Sequence, residues 1–380
     1  MSEYQYYEFQ KVDGRLSEIQ MQELRSYSSR ARITPASFIN EYNFGSFKGN
    51  PDTWMEKYFD GFLYLANWGS REVQLAIPAG LLPLKTAEQY CSSQAASSRE
   101  IAGKLIFTFL SEDVSDEEWL EGGGNLSPLL QIRNELAQGD FRSLYLGWLM
   151  GVQAGELEPT QTEPPVPPNL AELSGAQANL AEFFRLDPDL LAAAAQNSPR
   201  LQADVPNDEE RSAWIASLPA RAKDELLIRV MDGDAAGVGM ELQSQFRSQR
   251  KPSQSDSEAK PRTVAGLLST AKALAENRQR EQHTKAALEK ARLAQHAALA
   301  RERHLESLKG RSEQIWTDVE NLTATRLPKS YDQAVQHLGD LRELADREGH
   351  QDDFNHRLAM FRSRHSAKKS LTDRLKTGGL

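Results

Sequence analysis

The residue types that most often carry chemistry are sparse and scattered in this 380-residue chain. Its seven histidines, at 283, 296, 304, 337, 350, 356 and 365, all lie towards the C-terminus. None forms the i,i+4 pair that sets two imidazoles on one zinc, and His296 and His304 would stand about 12 Å apart along a helix. They read as surface histidines. Cys91 is the only cysteine, so no internal disulfide or multi-thiolate metal site exists, as in a chain kept in a reducing cytoplasm. No neighbour in sequence would lower its thiol pKa, and it reads as an idle thiol. Glu112, Asp113, Asp116, Glu117 and Glu118 could chelate a cation, but their contiguity reads as a solvated loop or helix start. The Gly122–Gly124 run lacks the following Lys-Ser/Thr of a phosphate loop. No nucleophile elbow, HExxH or paired CxxC occurs. The expectation is a chain without catalytic, cofactor or metal residues.

Two segments offer more. Tyr42–Gly49 mixes aromatics, glycines and a lysine, so Tyr42, Phe44, Phe47 and Lys48 form a candidate ligand loop. The plainer reading is a turn whose aromatics complete a core. Residues 247–311 hold 15 Lys/Arg against 7 Asp/Glu. Arg278, Arg280, Lys285 and Lys290 there, with Lys368 and Lys369 in the tail, are candidate phosphate contacts, which need no base sequence. The segment has no aromatic for base stacking, so a solvated helix face competes with a nucleic-acid surface.

The elements that must position these residues follow from periodicity. The net charge of −9 divides into −17 over residues 1–246, +8 over 247–311 and zero beyond. Half of the thirty aromatics fall in residues 1–70, where the best-packed core is expected. Tyr4–Val12, Ala36–Phe44, Val73–Ile77 and Lys104–Leu110 read as strands, the last apolar on both faces. A helix follows Asn50-Pro51, with Met55, Phe59, Phe62 and Leu63 on one face. Helical patterns cover Leu129–Ala137 and Phe141–Val152. This makes an α+β domain over 1–158. The proline-dense segment 159–169 favours extended polyproline II and reads as a linker or a stiff strap. A small helical domain over 170–247 and a polar linker over 248–261 follow.

Residues 262–325 read as a long charged helix, apolar at both ends and polar over Glu276–Arg303. That polar middle would be about 40 Å of solvated arm, with the helix anchored at its ends and holding the C-terminal hairpin away from the N-terminal domain. A sustained heptad is absent, so a long coiled coil is not favoured. Residues 326–380 read as a helical hairpin, broken at Gly349, with a short third helix after it. Its core is small enough to leave Leu338, Leu341, Phe354 and Phe361 as a candidate partner surface. The fold class is mainly α: an N-terminal α+β domain, a helical middle domain, a long helix and a C-terminal hairpin. No apolar run reaches the ~18 residues of a membrane span, and the first residues lack a signal-peptide pattern.

Tyr6–Phe9, Arg32–Pro35, Asn40–Tyr42, Phe47–Gly49, Leu63–Gly69 and Leu144–Gly147, with the Pro-rich segment, resemble a family of uncharacterised bacterial proteins over nearly the full length. Pro328–Asp332, Asp340–Arg342, Lys369–Leu371 and the terminal Gly379-Leu380 resemble a helical module that ends some bacterial SWIM zinc-finger proteins. No cysteine–histidine constellation is present, so no zinc finger carries over. The first resemblance implies a bacterial cytoplasmic protein and assigns no activity. The expected function is a non-enzymatic scaffold or adaptor that binds a protein partner, without a membrane. The alternative is a nucleic-acid-associated protein using the basic arm and tail, and a third reading is an enzyme with its site near Tyr42–Lys48.

Overall fold

Alternating aromatic and branched residues set up seven strands: β1 (Gln5–Gln10), β2 (Arg32–Thr34), β3 (Ser37–Tyr42), β4 (Gly61–Ala66), β5 (Ser70–Pro78), β6 (Ala96–Ile101) and β7 (Lys104–Glu112). The computed structural model describes residues 4–45, 47–112, 124–199, 208–249 and 261–380. The strands form one antiparallel sheet in the order β2-β3-β1-β4-β5-β7-β6. Two short helices, α1 (Glu18–Tyr27) and α2 (Pro51–Lys57), supply the apolar side chains that cover part of one face. Ser17 starts α1 with a capping box to Gln20, which satisfies two orphan backbone donors. Helix α3 (Leu84–Glu88) lies in the connection to β6.

The other face carries the larger core. Leu63, Leu65, Val73, Leu75, Leu105, Phe107 and Phe109 point into it. They meet α4 (Gln131–Ala137), α5 (Arg142–Gln153), α6 (Gly175–Phe183) and α7 (Pro188–Ala195). Helix α5 is buried from Ser143 to Val152, as a helix apolar all round should be. Next come α8 (Asp208–Ser217), α9 (Ala220–Met231) and α10 (Ala235–Gln249). The chain continues into α11 (Val264–Leu308), α12 (Ser312–Ala324), α13 (Pro328–Glu348), α14 (Gln351–Arg364) and α15 (Lys369–Thr377). The chain is mainly α-helical with an N-terminal α+β region, as its periodicities predict.

Several local expectations need correction. Phe62 and Leu63 do not extend the helix after Asn50. Helix α2 stops at Lys57, and both residues lie on β4, one on each face of the sheet. A short apolar run buried on both sides is a strand pattern, and a helical reading mistakes its neighbours for one stripe. Strands β2 and β6 escape the sequence reading because they are short or polar edge strands, as edges usually are.

The Pro-rich segment is pinned rather than exposed. Thr162 bridges Thr263, and Glu163 N–H donates to the Arg262 carbonyl at 2.8 Å. The Glu163 carboxylate accepts two bonds from the Arg262 guanidinium, at 2.9 and 2.7 Å, and one from the Tyr145 hydroxyl. Arg262 also donates to the Ala193 carbonyl at 2.8 Å. The Tyr90 and Ser198 hydroxyls donate to the Pro165 and Pro167 carbonyls at 2.9 and 2.7 Å, so the proline strap is held at several points, with one buried carboxylate at its start. Helices α6 and α7 share the sheet's core instead of making one, whereas α8 and α9 bury no residue. By packing, the chain divides into Met1–Arg278 and Gln279–Leu380. Most of the segment read as a second linker, residues 250–260, lies outside the described residues.

Within Gln279–Leu380, α12 to α15 enclose a core of Ile315, Trp316, Val319, Tyr331, Leu338, Leu341, Phe354, Leu358, Phe361, Leu371 and Leu375. Gly349 ends α13 in the left-handed conformation (φ 75°) that a C-terminal cap requires. Leu305, near the end of α11, is also buried.

Candidate functional site

The residues proposed as a partner surface are not available to one. Leu338, Leu341, Phe354 and Phe361 are all buried. Helices α12 and α15 supply the apolar faces that a lone hairpin would lack, and Trp316 packs on both phenylalanines. The apolar stripe of α12 and the short last helix close on the hairpin instead of leaving its face open.

The candidate phosphate contacts divide. Arg278 pairs with Asp189 at 2.6 Å, and the Lys368 ammonium donates to the Thr323 carbonyl at 2.9 Å. Arg280, Lys285, Lys290 and Lys369 are exposed. At about 100° per residue, Arg278 and Lys285 share a face of α11, while Arg280 and Lys290 point in other directions. His304 and His365 bond Asp340 and Glu320, each at 2.9 Å. Among the described residues, no cluster of histidine, cysteine or carboxylate side chains could hold a metal ion. Burial pushes the Cys91 thiol up to about 12, with the neighbouring Ser98 acting against it. Glu112 ends β7, while Asp113, Asp116, Glu117, Glu118, Gly122 and Gly123 lie outside the described residues.

Helix α11 presents the longest exposed surface. Every residue from 276 to 300 is exposed, including Leu288, Leu293 and Leu299. Val264, Leu267 and Ala271 at its start belong to the sheet's core.

The aromatic loop contributes to a second surface, which sequence reading caught in part. Tyr42 and Phe47 are half-buried, whereas Phe44 is 81 % exposed and Lys48 is exposed. Tyr7 gathers this group: it stacks on Phe47 at 4.6 Å, meets Tyr42 edge-on at 5.8 Å and lies 4.7 Å from Tyr64. Gly49 makes the packing possible, since a Cβ there would stand 2.7 Å from both Phe47 and Trp54 rings.

Register extends the row across the sheet. Tyr7 of β1 faces Tyr64 of β4, which faces Glu72 of β5. The hydroxyl of Tyr7 donates to Gln5 Oε1 at 2.8 Å, with that of Tyr64 at 3.5 Å, and Gln5 Nε2 donates to the Gly45 carbonyl at 3.1 Å. Glu72 is half-buried and accepts one bond, from Gln74 Nε2 at 2.6 Å. Arg99 reaches Asp52 at 2.8 Å and Gln74 at 2.9 Å, and no lysine or arginine among the described residues forms a salt bridge with Glu72. Burial raises the Glu72 carboxyl above the usual range, with Asp52 adding to it against Gln74 and Arg99. Burial and the Glu72 charge push the Tyr64 phenol up to about 12, against its bond with Tyr7.

Of this row, only Tyr7 and Tyr42 fall in segments that read as strands, while Tyr64 and Glu72 lie outside them. Its alignment depended on register. Below it, a buried charge network fixes the strand ends. Asp60, 1 % exposed, accepts from the backbone N–H groups of Val12 and Asp13 and pairs with Lys104 at 3.0 Å and Lys11 at 3.4 Å. Burial would raise its carboxyl, but Lys104, Lys11 and Arg133 outweigh burial and hold it below the usual range.

No helix among the described residues is long and apolar enough to cross a membrane. No family model, curated protein or solved structure matches the chain.

Proposed function

We propose that this chain is a non-enzymatic scaffold or adaptor of the bacterial cytoplasm, which captures a protein partner on the exposed part of α11. One observation carries the reading. Both ends of α11 are built into hydrophobic cores, yet residues 276–300 bury nothing and still keep Leu288, Leu293 and Leu299 at the surface. A helix isolated from any core gains little from burial, and its persistence through 25 residues suits a surface kept for binding. The resemblance to a bacterial family and the single cysteine supply the cellular setting.

The test is co-purification of the full chain with and without nuclease, followed by cross-linking to locate the contact. The adaptor reading expects a nuclease-resistant partner cross-linked within 276–300. Changing Leu288 and Leu299 to aspartate should then cut its recovery at least tenfold, with both units' melting unchanged. Nuclease-sensitive recovery, with affinity falling steeply as salt rises from ~50 mM, would replace it with the nucleic-acid reading. That reading has Lys285 and Lys290 in its favour as exposed cations.

A further inference from the structure

Strand β7 runs past the start of β6 to Glu112, and beside its end a cleft of about 390 Å³ opens against the C-terminus of α5. That is room for a small ligand or one long side chain. The apolar wall consists of Ala95, Met150 and Phe184, which are buried, and Leu110, which is half-buried. Two carboxylates, Glu112 on β7 and Glu156 just beyond α5, line the same cleft. Among the described residues, no lysine, arginine or histidine lines it, and neither carboxylate forms a salt bridge. The last turn of α5 also borders it, which adds the negative end of the helix dipole. The Glu156 carboxylate is held in place by accepting from the Ala95 N–H at 2.9 Å. Gln153, at the end of α5, accepts from the Asp187 N–H at 2.7 Å and donates to the Arg185 carbonyl at 3.2 Å.

We propose that this cleft binds a primary ammonium group on an apolar stem, the chemistry of a lysine side chain or an alkyl diamine. A cleft with one sign of charge and low-dielectric walls focuses its field and concentrates counter-ions. Here both carboxylates and the helix end are negative, while the wall beneath them is hydrocarbon. An alkylammonium satisfies both, since its stem covers apolar surface and its charge stays at the wet rim. Two carboxylates on separate elements supply too few oxygens for a hard metal ion. A second, more open cleft shares Leu110 and Glu156 and continues past the hydroxyls of Ser97 and Thr108. A chain attached to the stem therefore has a polar path outward.

The cleft lies within Met1–Arg278, and its failure would leave the α11 reading untouched. The probe is butylammonium, titrated into the full chain at constant ionic strength and followed by the carbon-labelled methyl resonance of Met150, assigned with Met150→Leu. A saturable shift in the millimolar range is expected. Methylammonium, which lacks the stem, should bind at least about threefold more weakly, and butanol, which lacks the charge, should not saturate the shift. Glu156→Gln, which keeps an acceptor for the Ala95 N–H, and Glu112→Gln should each weaken butylammonium about three- to tenfold. Glu158→Gln, at an exposed residue outside the cleft, should leave the affinity unchanged. Circular dichroism melting checks that each variant is folded, and Glu112→Gln carries the test alone if Glu156→Gln unfolds. Acetyl-lysine methylamide and diaminobutane separate the sources. Tighter binding of the first assigns the cleft to a protein side chain, and tighter binding of the second to a free amine. No saturable shift, an equal response to butanol, or an affinity that the glutamine variants in the cleft leave unchanged overturns the proposal.

Discussion

At the residue scale, the decisive groups are buried carboxylates whose surroundings differ. Asp60 has two lysines and two backbone donors, so ionisation is favoured in the fold. Glu72 has one amide donor and no cation bonded to it, so burial raises its pKa. A raised folded-state pKa means the ionised form destabilises the fold. That penalty is present above the folded pKa and vanishes as pH falls below the unfolded value of about 4.3. Glu72→Gln, which keeps the acceptor for Gln74, should therefore raise the melting temperature at pH 7 by roughly 1–3 °C. The difference should close as the pH approaches 4. A scanning calorimetry series in which Glu72→Gln is less stable at neutral pH would show that the carboxylate is compensated by something in the fold.

At the element scale, the Pro-rich strap shows how a few side chains can fix a segment with little secondary structure. Backbone bonds from Glu163, Val264 and Ala265 tie the strap to the start of α11. The Glu163 carboxylate joins Tyr145 on α5 to Arg262. Glu163→Ala would leave a guanidinium and a phenol buried without their acceptor. Loss of one member of a buried pair costs about 3–5 kcal/mol, and urea unfolding should report a loss of that size. A loss below about 1 kcal/mol would mean that the other bonds alone hold the strap. The helix caps at Ser17 and Ser174 belong to this scale too, and both are visible as Ser-x-x-Gln in the sequence.

At the scale of the whole molecule, the cores on the two faces of the sheet belong to Met1–Arg278 and a third core to Gln279–Leu380, which implies two cooperative units. Calorimetry should resolve two transitions. Phe361→Ala removes a fully buried ring that packs on Trp316 and should destabilise only the C-terminal unit, by about 3–5 kcal/mol. A single transition shifted as a whole by Phe361→Ala would show that the units unfold as one. The same variant tests the corrected role of Leu338, Leu341 and Phe354, since all four residues share one core.

The sequence by itself determined the helical majority, the N-terminal strands, the polar middle of α11 and the break at Gly349. Each rests on a local period or a local cap, and such patterns are complete within a few residues. Tertiary structure alone decided the rest. Leu338 and Phe361 became core because α12 and α15 pack on them; the stripes were legible, but which stripe meets which was not. The proline segment became a strap because a carboxylate met an arginine 99 residues away. Tyr7, Tyr64 and Glu72 became one row because three strands paired in a particular register. A shift of one residue would have turned Tyr64 or Glu72 to the other face. Local propensity carries no information about which of those registers is paired, so the row exists only in the folded sheet.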